Sequence, residues 1–435
     1  MNIILLSGGS GKRLWPLSND VRSKQFIKLF KNEDGLYESM IQRMYKAIKG
    51  VDSSANITIA TSKTQVSELI NQLGDNIHIS VEPTRRDTFP AIALASLYLH
   101  DVMKVGEDEP VIVCPVDPYV DENYFLALQD LDRLAREGKS NLTLMGIEPT
   151  YPSEKYGYIL PVSSSEVSIV SEFKEKPEEA VAKSYIEKGG LWNAGIFAFK
   201  LGYMINRAHE LIDFSDYQDL FNRYESLTKI SFDYAVVEHE KSIQVKRFRG
   251  RWDDLGTWEA LTAVMDEKTL GKVTLSDCDN VRVINELDIP VVVMGEKDSV
   301  VAVSSEGVLV SSLDASSKIK PIAEKLDNGE IRFAEKSWGR YQVIDVSNTS
   351  LTINVELVKG HHMTYHAHHR RDEIWTIVTG EGEVTLNDNT FLVHPGDVIK
   401  INLGDKHTIK ALTDMKIIEV QIGTDIQASD KIKIN

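Results

Sequence analysis

Short apolar runs separated by longer amphipathic stretches fill the first ~260 residues, the texture of alternating strands and helices. Ile3-Ile4-Leu5-Leu6, Ile57-Thr58-Ile59-Ala60, Ile77-His78-Ile79-Ser80-Val81, Val111-Ile112-Val113-Cys114 and Leu142-Thr143-Leu144-Met145 predict strands. Residues 36–49, 63–74, 88–104 and 122–137 space their apolar positions as helices do. After about residue 268 β-branched runs crowd together: Val281–Ile284, Val291–Val293, Val300–Val303 and Val308–Val310. They predict a β-rich connector, a fragment of β-helix or a small sheet. Polar residues 316–328 predict a linker, and strands and turns from about Ser337 onward predict a small β-barrel. No long repeat stands out. The expected domains are 1–267, 268–328 and 329–435.

Composition adds bounds. With 435 residues, 42% hydrophobic and 26% charged, the chain reads as a soluble globular protein of more than one domain. No apolar stretch approaches the ~20 residues that cross a bilayer. Met1-Asn2 runs straight into a strand with no basic leader, and Cys114 and Cys278 make no disulfide framework, so a cytoplasmic protein is expected. A net charge of −16 speaks against nucleic acid or a membrane as partner, so any anionic substrate must be held by local cations.

Such cations follow the first strand. Leu6-Ser7-Gly8-Gly9-Ser10-Gly11-Lys12-Arg13-Leu14 lets backbone N–H groups approach an anion closely, with Lys12 and Arg13 adding charge. The spacing is neither that of a Walker loop nor that of a dinucleotide fingerprint. Together with Trp15-Pro16-Leu17-Ser18 and Ser23-Lys24-Gln25-Phe26, the segment resembles the signature of sugar-1-phosphate nucleotidylyltransferases, most closely mannose-1-phosphate guanylyltransferases. Lys12 stands where the family has Thr, and Ser23 where it has Pro. The resemblance implies a Rossmann-like, GT-A-like α/β domain with a mixed sheet. It also implies transfer from GTP to a sugar 1-phosphate with Mg²⁺. Both reactants are anions, so this chemistry needs cations on the phosphates, carboxylates on a metal and a sugar pocket.

By that resemblance Arg13 and Lys24 meet the phosphates, and Asp117 and Asp254 share the Mg²⁺. Asp254 lies in Trp252-Asp253-Asp254-Leu255-Gly256-Thr257-Trp258, which matches a family segment. Asp117 taken alone is equally a turn residue, and Pro118 replaces the family's His. Tyr156-Gly157-Tyr158, Glu175-Lys176-Pro177 and Trp192-Asn193-Ala194-Gly195 match the sugar segments. Glu175 and Asn193 are assigned to hydroxyls, Gly157 to close backbone approach and Lys176 to the sugar phosphate. Trp192 and Phe197 read as core, and Asp233 as a pocket wall or a structural residue. The nucleotide set is Leu6, Gly8, Gly9, Gly11, Lys12, Arg13, Glu82, Asp87 and Thr88. Asp87 and Phe89 replace the family's Asn and Ala, and Asp87 is either a guanine acceptor or a helix N-cap.

Gly360, His366, His368, Glu373 and Gly380 keep the first cupin spacing, and His407 follows in a degraded second motif. His366, His368, Glu373 and His407 form a candidate site for Zn²⁺ or another first-row divalent metal. The fusion resembles bifunctional phosphomannose isomerase–guanylyltransferases. One residue is inserted before the Glu, however, and the family's Gln and following His are missing, which leaves isomerisation of mannose 6-phosphate and fructose 6-phosphate open. Two alternatives accompany the main reading. One is a transferase for another sugar or nucleotide, such as CTP; the other is a non-catalytic sugar-nucleotide-binding subunit. Homo-oligomerisation is compatible with all three.

Overall fold

The computed structural model describes residues 1–9, 11–19, 21–326, 331–424, 426–427 and 430–434. The expected boundary at 328/329 lies outside the described residues. The chain forms two compact units. The first comprises Met1–Ser10, Lys24–Val66 and Asn76–Asp266, and the second Gly11–Ser23, Ser67–Asp75 and Glu267–Asn435.

The first unit is built on a nine-stranded mixed sheet. Its order runs His78–Glu82, Asn56–Ser62, Asn2–Leu6, Pro110–Pro115, Leu191–Lys200, Leu142–Ile147, Ile243–Phe248, Val167–Lys174, Gly157–Pro161. The first four strands are parallel, and Leu191–Lys200 enters antiparallel to both of its neighbours. Central strands are covered on both faces, so they read as unbroken apolar runs: Ile3, Ile4 and Leu5 are fully buried. Helix Thr88–Leu97 is buried from Phe89 to Leu97, and its all-round apolar sequence reflects that position. Helix Met40–Val51 starts at a capping box in which Ser39 and Gln42 exchange side-chain and backbone hydrogen bonds.

In the second unit the connector consists of stacked parallel strands closed by one antiparallel pair, Lys297–Ser304 with Gly307–Ser312. Val273 faces Val291 and Asp279 faces Lys297, a constant offset of 18 residues. This is a structural repeat that the sequence did not reveal. Its interior holds Val281, Val283, Val293, Val301 and Val303. The linker expected over 316–328 is corrected: Leu313–Ser316 and Ile319–Leu326 are helical, with Ile319 and Ala323 buried one turn apart; residues 327–328 lie outside the described residues. Segment Gly11–Ser23 packs on this connector. Ser304 Oγ donates to the Pro16 carbonyl at 2.6 Å, Asn19 Nδ2 donates to Glu306 at 2.9 Å, and Arg22 pairs with Glu286 at 2.8 Å. The C-terminal residues form a cupin-type barrel of a six-stranded and a five-stranded sheet. Val355, Trp375 and Ile417 from one sheet meet Val384, Val393 and Ile409 from the other in its core.

Candidate functional site

Strands Asn2–Leu6 and Pro110–Pro115 lie side by side, and the sheet order departs in opposite directions from them. Open α/β sheets place ligands beyond the carboxyl ends of such a pair. Here a cleft of about 240 Å³ opens there, and its walls include Leu6, Thr88, Asp117, Tyr156, Glu175 and Asp254.

Two carboxylates reach this cleft on a short antiparallel ribbon, in which Asp254 lies opposite Pro118 in register. Asp121 fixes the ribbon's return: its carboxylate accepts the Arg251 N–H at 2.7 Å, and a side chain on Gly250 would crowd it at 2.8 Å. Lys24 Nζ sits 2.6 Å from Asp117 Oδ2 and 3.7 Å from Asp254 Oδ1. One ammonium thus occupies the locus between two hard oxygen donors, which is where a divalent cation fits.

Opposite the tip of strand Leu191–Lys200, Asn193 pairs in register with Gly157. A Cβ on Gly157 would stand 2.5 Å from Glu175 Oε2, so only glycine leaves that carboxylate its place. Glu175 is buried and pairs with Lys176 at 2.7 Å. Asn193 Nδ2 donates to Asp233 Oδ1 at 2.6 Å while its Oδ1 accepts the Gly195 N–H at 3.2 Å. Burial, and next the charge of Glu175, push the Asp233 carboxyl up to about 7. Sequence reasoning left this residue between a pocket wall and a structural role; in the structure it lines the cleft and also bonds Asn193.

The nucleotide residues are dispersed. Leu6 and Thr88 line the cleft. A Cβ on Gly8 would meet Glu82 Oε1 at 3.2 Å, and the Gly9 carbonyl accepts from Gln65. Glu82 is buried and takes the Tyr224 hydroxyl at 2.7 Å; burial raises its carboxyl above the ordinary value despite that bond. Asp87 is exposed and caps helix Thr88–Leu97, accepting the Thr88 N–H at 2.8 Å. Phe89 and Trp192 are not cleft residues but are buried in the core; Phe197 is buried too, and also lines the cleft floor. Gly11, Lys12 and Arg13 form a 3-10 turn, Gly11–Leu14, that belongs to the second unit.

Within the barrel His366, His368 and His407 are buried with ligand atoms within 4.8 Å of one another. Each Nδ1 faces a backbone carbonyl: Thr364 at 2.6 Å, Asp430 at 3.3 Å and Asp405 at 2.9 Å. That arrangement leaves the Nε2 lone pairs directed inward. His407 Nε2 is buried without a hydrogen-bond partner, 3.4 Å from Glu373 Oε2. Burial alone would raise Glu373, but the His368 and His407 imidazoles hold it well below the usual carboxylate range. Inward imine nitrogens beside an ionised carboxylate fit a divalent metal. The residue inserted before Glu373 in this chain's motif brings in Arg371, whose guanidinium spans Glu373 at 2.9 Å and His368 Nε2 at 3.1 Å. Sequence reasoning also missed Glu419, pushed up to about 8 by burial and by Glu373.

Fold and cleft fit an α/β transferase acting on phosphorylated substrates, joined to a cupin barrel whose histidines could hold a metal. Family comparison carries this further: the nucleotidyl transferase pattern matches residues 2–270, and the mannose-6-phosphate isomerase C-terminal pattern matches residues 327–435. The chain belongs to the nucleotidyl transferase family. It is 30% identical to a putative mannose-1-phosphate guanylyltransferase of Vibrio cholerae serotype O1, over 99% of this chain and 98% of that one. The mannose-1-phosphate guanylyltransferase of Salmonella montevideo is 29% identical with the same coverage. A crystal structure from Thermus thermophilus, described as a mannose-1-phosphate geranyltransferase, superposes with a TM-score of 0.63 at 28% identity, covering 75% of this chain and 98% of that one. No described helix is long and apolar enough to cross a membrane.

Proposed function

We propose that this protein transfers a guanylyl group from GTP to mannose 1-phosphate, forming GDP-mannose. A phosphate oxygen of the sugar phosphate attacks the α-phosphorus, the bond to the β-phosphate breaks and pyrophosphate leaves. The observation that carries the reading is Lys24 held between Asp117 and Asp254 at the mouth of the cleft that also contains Gly157, Glu175 and Asn193. No covalent intermediate is needed, so the residues act by placing charge and aligning the two phosphates. Lys24 neutralises the reacting phosphates. Arg13, following the glycine loop, takes the triphosphate with Gly8, Gly9, Gly11 and Lys12. Glu175 and Asn193 hold sugar hydroxyls and Lys176 the sugar phosphate.

Asp117 and Asp254 would hold Mg²⁺, which when bound screens the charge that builds on the phosphate oxygens. His366, His368, His407 and Glu373 would hold Zn²⁺ or another first-row ion in the barrel. Isomerisation of mannose 6-phosphate and fructose 6-phosphate is the activity such a barrel would add. Guanine is favoured because neither family departure near residue 88 alters the cleft: Asp87 caps a helix and Phe89 is core. The domains proposed remain 1–267, 268–328 and 329–435, in a cytoplasmic protein.

Pyrophosphate release tests the reading, with four nucleoside triphosphates crossed against several sugar 1-phosphates in Mg²⁺. GTP with mannose 1-phosphate should be the best pair. A preference for CTP would overturn the guanylyl assignment, and silence with every pair would leave a binding subunit.

A further inference from the structure

Asp233 is an ionisable group in the cleft wall for which the transfer mechanism has no use. It opens the short turn Asp233–Val237 and lines the cleft beside Glu175, Gly157 and Asn193. Asn193 is engaged at both ends, donating to Asp233 and accepting from Gly195, so it keeps one N–H and one oxygen lone pair for a hydroxyl. Beside it on this wall stand the carboxyls of Asp233 and Glu175.

Two adjacent carboxyls in a water-poor pocket do not both ionise readily. The cation beside this pair is Lys176, which engages Glu175 directly at 2.7 Å and acts on Asp233 through its charge. The remaining groups nearby are an amide and carboxylates, with Lys155 a further cation in the cleft wall. Asn193 is neutral, Glu238 accepts the Glu175 N–H, and Asp117 and Asp254 line the same cleft with Lys155. A proton retained on one member of the pair also suits the ligand. An ionised carboxylate only accepts, whereas a sugar hydroxyl both donates and accepts. A carboxyl that keeps its proton both donates and accepts, so it can meet a hydroxyl in both directions.

We propose that Asp233 binds the hexose as a protonated carboxyl beside Asn193 and Glu175, so that affinity for the sugar phosphate is linked to uptake of one proton. This deepens the transferase reading and rests on it. The pH sense follows from the environment: burial, then Glu175, hold the Asp233 proton until about pH 7. The binding-competent form is complete below that value and is lost above it.

The test is the KM for mannose 1-phosphate from pH 6 to pH 9 at saturating GTP and Mg²⁺, followed by pyrophosphate release. In the wild type KM should stay level to about pH 7 and then climb by up to about tenfold per pH unit, while the KM for GTP stays level. Asp233→Asn replaces the acid O–H with an N–H donor and keeps the acceptor for Asn193. Whatever its KM at pH 6, that value should persist to pH 9. Glu175→Gln removes the neighbouring charge, so the break should move to lower pH. A level wild-type profile, or an Asp233→Asn profile that still climbs, overturns the proposal while leaving the transferase reading intact. Absence of turnover with every sugar phosphate at every pH overturns both.

Discussion

Gly157→Ala isolates the sugar pocket with one methyl group. The new Cβ would stand 2.5 Å from Glu175 Oε2 and 3.1 Å from Phe173 Cζ, where ordinary contacts begin at 3.4 Å. Phe173 is packed against the core, so the carboxylate yields, by about 0.9 Å from these distances. Turning Glu175 off its rotamer costs about 0.5–1.5 kcal/mol. Losing its charge-assisted hydrogen bond to a sugar hydroxyl costs about 1.5–3 kcal/mol more. Together, about 2–4 kcal/mol lowers kcat/KM for mannose 1-phosphate by about 30- to 1000-fold. Overpacking should also cost about 1–3 kcal/mol of stability, read as a lower Tm. The assay is initial-rate pyrophosphate release with sugar phosphate varied at saturating GTP, and then the converse. The KM for GTP should hold. Gly50→Ala is the control: Gly50 lies in helix Met40–Val51 with open space around its Cβ position, so the change should gain up to about 1 kcal/mol and leave kinetics alone. A kcat/KM for mannose 1-phosphate within twofold of wild type refutes the placement of Glu175, as does an equal rise in both KM values.

Three more outcomes follow from named contacts. Lys24→Met and Asp254→Asn should each lower kcat by about 10²- to 10⁴-fold with Tm within a few degrees, because electrostatic groups at a phosphoryl centre act mainly on the transition state; isothermal titration should show Mg²⁺ binding weakened in Asp254→Asn. In the barrel Arg371→Met removes the cation that spans Glu373 and His368, so metal bound after dialysis against Zn²⁺ should rise relative to wild type, while His407→Ala should lower it. Arg22→Met removes a buried guanidinium and its charge-assisted hydrogen bond to the part-exposed Glu286, and should cost about 1.5–3 kcal/mol in denaturant unfolding.

Legibility in the sequence divided along local and non-local lines. The strands under the cleft showed themselves because burial on both faces leaves continuous apolar runs, as in Val111–Cys114. Gly157 and Glu175 were recognisable as motif members, but the 2.5 Å clearance that explains the glycine is a tertiary distance. The connector's 18-residue period escaped because its rungs share only valine-like character at inward positions, with no repeated residue pattern. Helix Ile319–Leu326 reads as linker from composition although Ile319, Ile322, Ala323 and Leu326 carry helical spacing; eight residues interrupted by Pro321 and set among serines and lysines are too short a run for the period to stand out. The insertion before Glu373 was visible as a departure, whereas the double engagement of Arg371 was not.

The fate of the signature segment carries the most mechanistic weight. Residues 6–26 read as one continuous phosphate-binding motif, yet Leu6 closes a strand of the first unit and Gly11–Ser23 belongs to the second. The supports of that segment come from far along the chain: Ser304 for Pro16, Glu306 for Asn19, Glu286 for Arg22. Leu14 and Leu17 are buried within it, so its conformation depends on packing and not on loop chemistry alone. The chain returns at Lys24 to supply the ammonium between Asp117 and Asp254. A cut near residue 267 would leave Gly11–Ser23 without Ser304, Glu306 and Glu286 and would expose Leu14 and Leu17. The β-rich connector is therefore part of what shapes the arginine-bearing turn, and the boundary that composition draws at 267 separates textures of sequence, not independent machinery.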